Sequence, residues 1–173
     1  MLYRKMEKTG DSLSILGFGC MRFPGKGGSI DYERTERLIL QAIEKGVNYF
    51  DTAYIYHAGR SESILGNILA KGSRDKVKIA TKLPPYFVRS RRDMDNILDN
   101  QLRRLKTDRI DYYLMHALND MEGWNRLKEL GVLEFIEEAK SDGKIINIGF
   151  SFHGDRNEFK AIIDDFPWDF CQI

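Results

Sequence analysis

VNYFDTAYIY (47–56), VKIATK (77–82) and DYYLMH (111–116) share one form, an apolar and aromatic run that closes on ionisable side chains. The first run closes on Asp51 and Tyr56, the second on Lys82 and the third on His116. Between consecutive runs lies a segment with helical spacing of its apolar residues. That alternation is the signature of stacked βα units with a parallel sheet, and such sheets build their sites at the carboxyl ends of the strands.

Outward from these runs the pattern continues in both directions. LYRKMEKTGDSLSIL, with a turn at Thr9-Gly10-Asp11, reads as a β-hairpin that plugs or caps part of the fold. ILGFGC (15–20) reads as a buried strand, and the Gly-rich stretch GKGGSI as a loop that leads to Asp31 as N-cap. A helix from about Asp31 to Lys45 puts Leu38, Ile39, Ala42 and Ile43 on one face and stops at Gly46. SESILGNILAKG reads as the next helix. Ser90-Arg91-Arg92-Asp93 has capping-box spacing ahead of a helix that carries Ile97, Leu98, Leu102 and Leu105.

Beyond His116, a helix over roughly 123–142 turns Leu127, Leu130, Phe135, Ile136 and Ala139 inward, with Gly131 as a point of weakness inside it. IINIGFS (145–151) is a strand, NEFKAIIDDF a helix stopped by Pro167, and WDFCQI (168–173) a sixth strand. No linker or shift in composition divides these elements, so residues 1–173 read as a single domain. A doubly wound sheet and a (β/α)8 TIM barrel both begin this way. Such a barrel uses about 250 residues and eight strands. The chain is therefore expected to cover about six of eight βα units, truncated after the sixth strand, with open edges that favour self-association.

Composition removes several classes. In 173 residues, 42% are apolar and 31% charged, the balance of an ordinary globular protein. Lys and Arg number 27 against 26 Asp and Glu, so no bulk field recruits nucleic acid or an anionic membrane. Cys20 and Cys171 form no CxxC, and His57, His116 and His153 have no metal-ligand spacing, so no metal is expected. The charged N-terminus lacks a signal-peptide core and no run is long enough to span a membrane, which makes a reducing cytoplasm the expected location.

The four strand-end residues answer separate chemical demands. Carbonyl reduction needs a hydride donor and an acid for the oxygen. A tyrosine hydroxyl can be that acid, but its ordinary pKa of about 10 makes it sluggish. An ammonium beside the phenol favours the phenolate, the role expected of Lys82 next to Tyr56. A buried lysine needs a counter-charge, which Asp51 supplies, and His116 would hydrogen-bond and orient the carbonyl.

NYFDTAYIYHAGRSESILG, IATKLP, DYYLMH and IGFS, in this order, resemble the aldo-keto reductase family over essentially the whole chain. The resemblance implies a (β/α)8 barrel and the tetrad Asp51, Tyr56, Lys82 and His116. It implies NADPH or NADH as cofactor, contacted by Asp51, Met21, Ser151 and Gln172, and a small carbonyl compound as substrate. Phe152 stands where the family usually has Asn after the serine, which removes one hydrogen bond of the expected set. LGFGCMR, GFSFHG and WDFCQI are similar to the branch of the family with a C-terminal iron–sulfur segment, so a 4Fe-4S cluster is implied only outside these residues. The family's pyrophosphate and substrate-loop segments also lie beyond the sixth strand, so the fragment itself is expected to be inactive.

Two rivals accompany this reading. Lys82 at a strand end could be the nucleophile of a Schiff-base aldolase. The chain could instead be a non-catalytic nicotinamide-binding regulatory or scaffold subunit. Among the remaining residues, His57 is expected in an exposed loop, His153 beside Ser151 at the site's edge, and Cys20 as a small buried thiol. The Arg89-Ser90-Arg91-Arg92 and Arg103-Arg104 clusters read as solvated charge, and LPPYFV (83–88) either as a pocket rim or as loop packing.

Overall fold

The computed structural model describes residues 1–173 and begins with the expected hairpin, β1 (Tyr3–Lys5) antiparallel to β2 (Ser12–Ser14), with Tyr3 opposite Ser14. Its turn carries Gly10 at φ +75°, a left-handed conformation that glycine adopts at little cost. The next strand, β3 (Phe18–Gly19), is shorter than ILGFGC promised. Ile15 and Leu16 are exposed because they lie on the approach to an edge strand. GKGGSI is not an irregular loop. It forms a second small hairpin, β4 (Gly25–Lys26) with β5 (Ser29–Ile30), through Gly27 and Gly28 at φ +59° and +79°. Two consecutive positive φ values define the tight turn that matches strand twist.

With β3 as their first strand, five βα steps and a sixth strand follow. Helix α1 (Tyr32–Glu44) is capped by Asp31, whose carboxylate accepts from the Arg34 amide. Strand β6 (Tyr49–Asp51) precedes α2 (Ser61–Leu69), β7 (Lys78–Leu83), α3 (Arg91–Leu105) and β8 (Ile110–Met115). The predicted long helix after His116 is two helices, α4 (Met121–Glu129) and α5 (Val132–Ser141), broken where Gly131 takes φ +84°. Strand β9 (Ile145–Ser151), α6 (Arg156–Asp165) and β10 (Phe170–Gln172) complete the chain. The box at the start of α3 is only half made. Asp93 accepts from the Arg89 amide and the Ser90 hydroxyl, and Ser90 gives no side-chain cap.

One parallel sheet runs β10-β9-β8-β7-β6-β3. Flat strands spaced about 4.8 Å apart would hold β6 and β10 about 19 Å from each other. Instead the Tyr49 hydroxyl of β6 reaches Gln172 Oε1 of β10 at 3.4 Å, so the sheet is curled into a partial barrel. Alternate residues divide its two faces. Phe50, Ile79, Tyr113, Met115, Ile148 and Phe150 meet the helices in the main core, while Ala80, Tyr112 and Leu114 pack inside with Leu13, Tyr49 and Phe170. Gly149 leaves room for the Phe170 ring, which an added Cβ would meet at 2.7 Å.

The first hairpin caps the amino-terminal end of this interior. Tyr112 donates to Asp11 at 2.7 Å, Lys78 pairs with Asp11 at 2.8 Å, and Lys8 donates to the Trp168 carbonyl at 2.7 Å. Leu38, expected on the buried face of α1, is 39% exposed, because α1 flanks the sheet edge and Ile39 alone of that apolar group is fully covered. No helix is long and apolar enough to cross a membrane.

Candidate active site at the carboxyl end of the sheet

Strand alternation, not local sequence, aims the polar residues. Asp51 pairs with Ala80, and Lys82 follows two residues later on the same face. On β8 the inner phase runs Tyr112, Leu114 and then His116, one residue past the strand, where its amide donates to the Leu83 carbonyl. Ser151 and Gln172 are register partners at the ends of β9 and β10. Inner positions that are apolar or aromatic at mid-strand thus become polar at one common end.

Three of the four expected residues sit on or beside strand ends, and Tyr56 does not. VNYFDTAYIY is strand only to Asp51. Residues 52–60 form a loop in which the Tyr56 amide donates to Ala53, followed by His57, Ala58 and Gly59 at φ +53°, +54° and +84°. The loop folds Tyr56 back over the strand ends. Left-handed backbone at two non-glycine residues costs energy that the surrounding contacts must offset.

Lys82 is the centre of the group. It is 1% exposed, and its Nζ donates to Asp51 Oδ1 at 2.5 Å and to the Thr52 carbonyl at 2.7 Å. The ammonium faces the Tyr56 ring, 5.2 Å from its centroid. The Tyr56 and His116 rings meet edge to face at 6.0 Å. All four side chains therefore converge on one mouth.

Their protonation follows from burial. Desolvation pulls Lys82 below its usual range, opposed by the attraction of Asp51. Desolvation first, then the Asp51 carboxylate, pushes the Tyr56 phenol up to about 12. The expected lowering of the phenol by Lys82 is therefore not what this arrangement does, because burial and the carboxylate prevail. His116 falls to about 4, from burial first and then from the positive charge of Lys82. Its buried Nδ1 has no hydrogen-bond partner. Burial also drives the Cys20 thiol far up, in keeping with a structural buried cysteine.

The surrounding residues divide into those near the group and those turned away. Ser151 Oγ accepts from the Ala117 amide at 2.8 Å, which leaves its proton available. The Gln172 side chain takes only the long bond from Tyr49. Met21 is 54% exposed on the loop after β3. Phe152 turns into an aromatic cluster with Phe150 and Phe159. His57 is not simply exposed. Its Nε2 accepts from the Phe23 amide at 2.9 Å and its ring stacks on Phe23 at 5.0 Å. His153 is exposed, its amide bonded to Asn119. Tyr86 and Phe87 stand exposed at the rim, with Phe87 against Tyr54 at 6.1 Å.

Behind Lys82 lies a polar network that the sequence did not disclose. Glu62, fully buried, accepts from Thr81 Oγ1 at 2.7 Å, Gln101 Nε2 at 2.9 Å and Arg104 at 3.2 Å. Arg104 is thus no solvated charge, as its cluster implied. Glu62 in a first helical turn looks like ordinary dipole complementation, and only tertiary packing distinguishes it. The curled interior also bounds an open cavity of about 670 Å³, lined by Tyr49, Asp51, Tyr112, Phe170 and Gln172 among others. It meets the tetrad only at Asp51.

Comparison with known proteins agrees with this fold. The model of the aldo/keto reductase family matches residues 15–169. An uncharacterized oxidoreductase, YrpG, of Bacillus subtilis is 33% identical over 168 residues, covering 87% of this chain and 49% of that protein. Aflatoxin B1 aldehyde reductase member 2 of Rattus norvegicus is 32% identical over 129 residues, covering 72% of this chain and 34% of that protein. The holo form of the aldo-keto reductase AKR11C1 from Bacillus halodurans superposes with a TM-score of 0.80 at 28% identity, over 97% of this chain and 55% of that one. An aldo-keto reductase from Klebsiella pneumoniae in complex with NADPH gives 0.73 at 28% identity, over 94% and 54%. The chain spans about half the length or less of the curated relatives it matches. From the match over residues 15–169 and the shared partial barrel, the chain belongs to the aldo/keto reductase family.

Proposed function

We propose that the protein carrying this chain reduces an aldehyde or ketone to an alcohol with a hydride from NADPH or NADH. The observation that supports this most is the convergence of the Asp51–Lys82 pair, the Tyr56 ring and the His116 ring at one strand-end mouth. The residues present fit a nicotinamide. Ser151 has a free hydroxyl proton, and the Gln172 amide nitrogen beside it makes no hydrogen bond, a donor pair suited to a carboxamide. A bound nicotinamide would supply the hydride to the carbonyl carbon.

The chain's own residues supply the rest. His116, neutral above about pH 4, has a buried Nδ1 without a partner. A lone pair tolerates that isolation better than an N–H does, which puts the proton on Nε2 and makes it a donor to the carbonyl oxygen. Tyr56, held protonated up to about 12, keeps its proton until the oxygen gains charge and then passes it to the nascent alkoxide, a stronger base than the phenolate. Lys82 would stabilise the phenolate left behind, and Asp51 holds Lys82. One hydride and one proton add to the carbonyl, and charge balances.

The fully covered, doubly hydrogen-bonded Nζ of Lys82 supports this role over a Schiff base, which needs an accessible amine. Tyr86 and Phe87 would form part of the substrate rim. Residues 1–173 act in this reading as one domain, in a reducing compartment that leaves Cys20 and Cys171 free. An iron–sulfur centre would need ligands from elsewhere, since no three His, Cys, Asp or Glu side chains group as a metal site.

The test is Tyr56→Phe in the protein that carries this chain, assayed by NADPH consumption across a panel of aldehydes. Loss of at least about 100-fold in turnover is expected, with cofactor affinity nearly intact. Unchanged turnover would rule out the assignment.

A further inference from the structure

We propose that Arg104 and Glu62 are positioning residues that fix the Tyr56 loop and the Lys82 strand relative to each other. The inference rests on the reading of Tyr56 and Lys82 given above and adds what sets their geometry.

Tyr56 sits on a loop of hydrogen-bonded turns outside any helix or strand, with three successive left-handed residues whose backbone cost contacts from outside the loop must offset. Arg104, near the end of α3, does so from one side. Its guanidinium covers the Tyr54 ring at 4.4 Å and donates to the Tyr54 carbonyl at 3.4 Å. It also lies against Gly59, where an added Cβ would come 3.7 Å from both terminal nitrogens. Arg104 therefore touches the loop two residues before Tyr56 and three residues after it.

Glu62 carries the connection to Lys82. Its Oε2 takes the Arg104 guanidinium, and its Oε1 takes Thr81 and Gln101. Gln101 Nε2 also donates to the Lys82 carbonyl at 3.0 Å, and its Oε1 accepts from the buried Tyr113 hydroxyl at 2.8 Å. Arg104 and Gln101 are three residues apart on α3, hence on one face of the helix. A carboxylate fully removed from water persists only where donors and a cation satisfy it. Here those partners are the two halves of the site. The Tyr54–Gly59 loop and the Thr81–Lys82 segment are tied to one carboxylate, so the network reinforces the Tyr56–Lys82 distance that the direct approach of the two side chains alone would leave loose.

Two substitutions at Arg104 and one at Glu62 test this. Arg104→Met keeps a stem over Tyr54 and removes the guanidinium, and Arg104→Lys restores a cation. Arg109→Ala, which breaks only exposed ion pairs with Asp75 and Asp108, serves as control. Hydrogen exchange followed by mass spectrometry is the first readout and does not depend on activity. In Arg104→Met, amides of residues 54–60 should exchange at least about tenfold faster while β8 and β9 keep their protection. The control should leave both unchanged, and Arg104→Lys should recover part of the protection. Exchange in 54–60 that stays at the wild-type rate overturns the proposal. So does faster exchange spread evenly over the chain, which marks a merely structural residue.

Kinetics on the protein that carries this chain is the second readout. Arg104→Met and Glu62→Gln should lower kcat by about 10- to 100-fold, the cost of a misplaced reacting group, with cofactor affinity retained and partial rescue by Arg104→Lys. Unchanged kcat beside a loosened loop overturns the proposal. Absent turnover in the wild-type protein refutes the proposed function instead, and the exchange experiment then still decides whether Arg104 holds the loop.

Discussion

His116 shows what a single position adds to a strand. In the sequence it is the polar end of DYYLMH, and nothing in the letters says whether it is charged. In the structure, burial and the Lys82 ammonium hold its pKa near 4, below the ordinary value of about 6.5. Between those values the unfolded chain binds the proton more readily than the folded one. His116 therefore costs the fold nothing above about pH 6.5 and removes stability as the pH falls from there towards 4. Proton NMR of the imidazole should show no titration between pH 8 and 5 and a midpoint near 4. A midpoint near 6.5 would mean that the ring is solvated. Residue type alone makes Tyr56 the candidate acid, but its surroundings are not legible from it. Residue types alone predict that Lys82 lowers the phenol, whereas desolvation and Asp51 raise it to about 12. That net effect depends on distances no sequence pattern carries.

At the scale of elements, the alternation of runs and amphipathic segments was enough to order the strands and helices, because parallel βα units repeat one hydrophobic pattern. Boundaries failed where tertiary contact competes with local preference. VNYFDTAYIY is uniformly strand-like in composition, yet pairing with β7 lasts only through Asp51, and the remainder becomes the loop that carries Tyr56. Leu38 matched the apolar face of α1 but lies beside the sheet edge, where nothing covers it. Glu62, Gln101 and Arg104 gave no signal because charged and amide residues on helices usually face water. Close packing of α2 on α3 makes that network reachable. Gly66 lies where a Cβ would meet the Arg104 carbonyl at 2.4 Å and Leu105 Cα at 2.6 Å, both backbone atoms. Gly66→Ala should destabilise the chain by about 1–3 kcal/mol in urea unfolding, despite the higher helix propensity of Ala. A neutral or stabilising effect would contradict the close approach.

At the scale of the molecule, the curled sheet presents two parallel edges, β3 and β10, without neighbours. We propose that the isolated chain self-associates through them, since unpaired edges template pairing. Sedimentation of the chain at rising concentration should show species heavier than 20.1 kDa, and a strictly monomeric chain would count against it. Four groups from β6, its following loop, β7 and the end of β8 meet at one place, and carbonyl reduction is the chemistry proposed for them. The most direct test is transfer of deuterium from NADPH labelled at the hydride position, catalysed by the protein that carries this chain. The account predicts one deuterium on the former carbonyl carbon of the alcohol, lost together with turnover in Tyr56→Phe. An alcohol free of deuterium, or a borohydride-trapped adduct on Lys82 in its place, would contradict it.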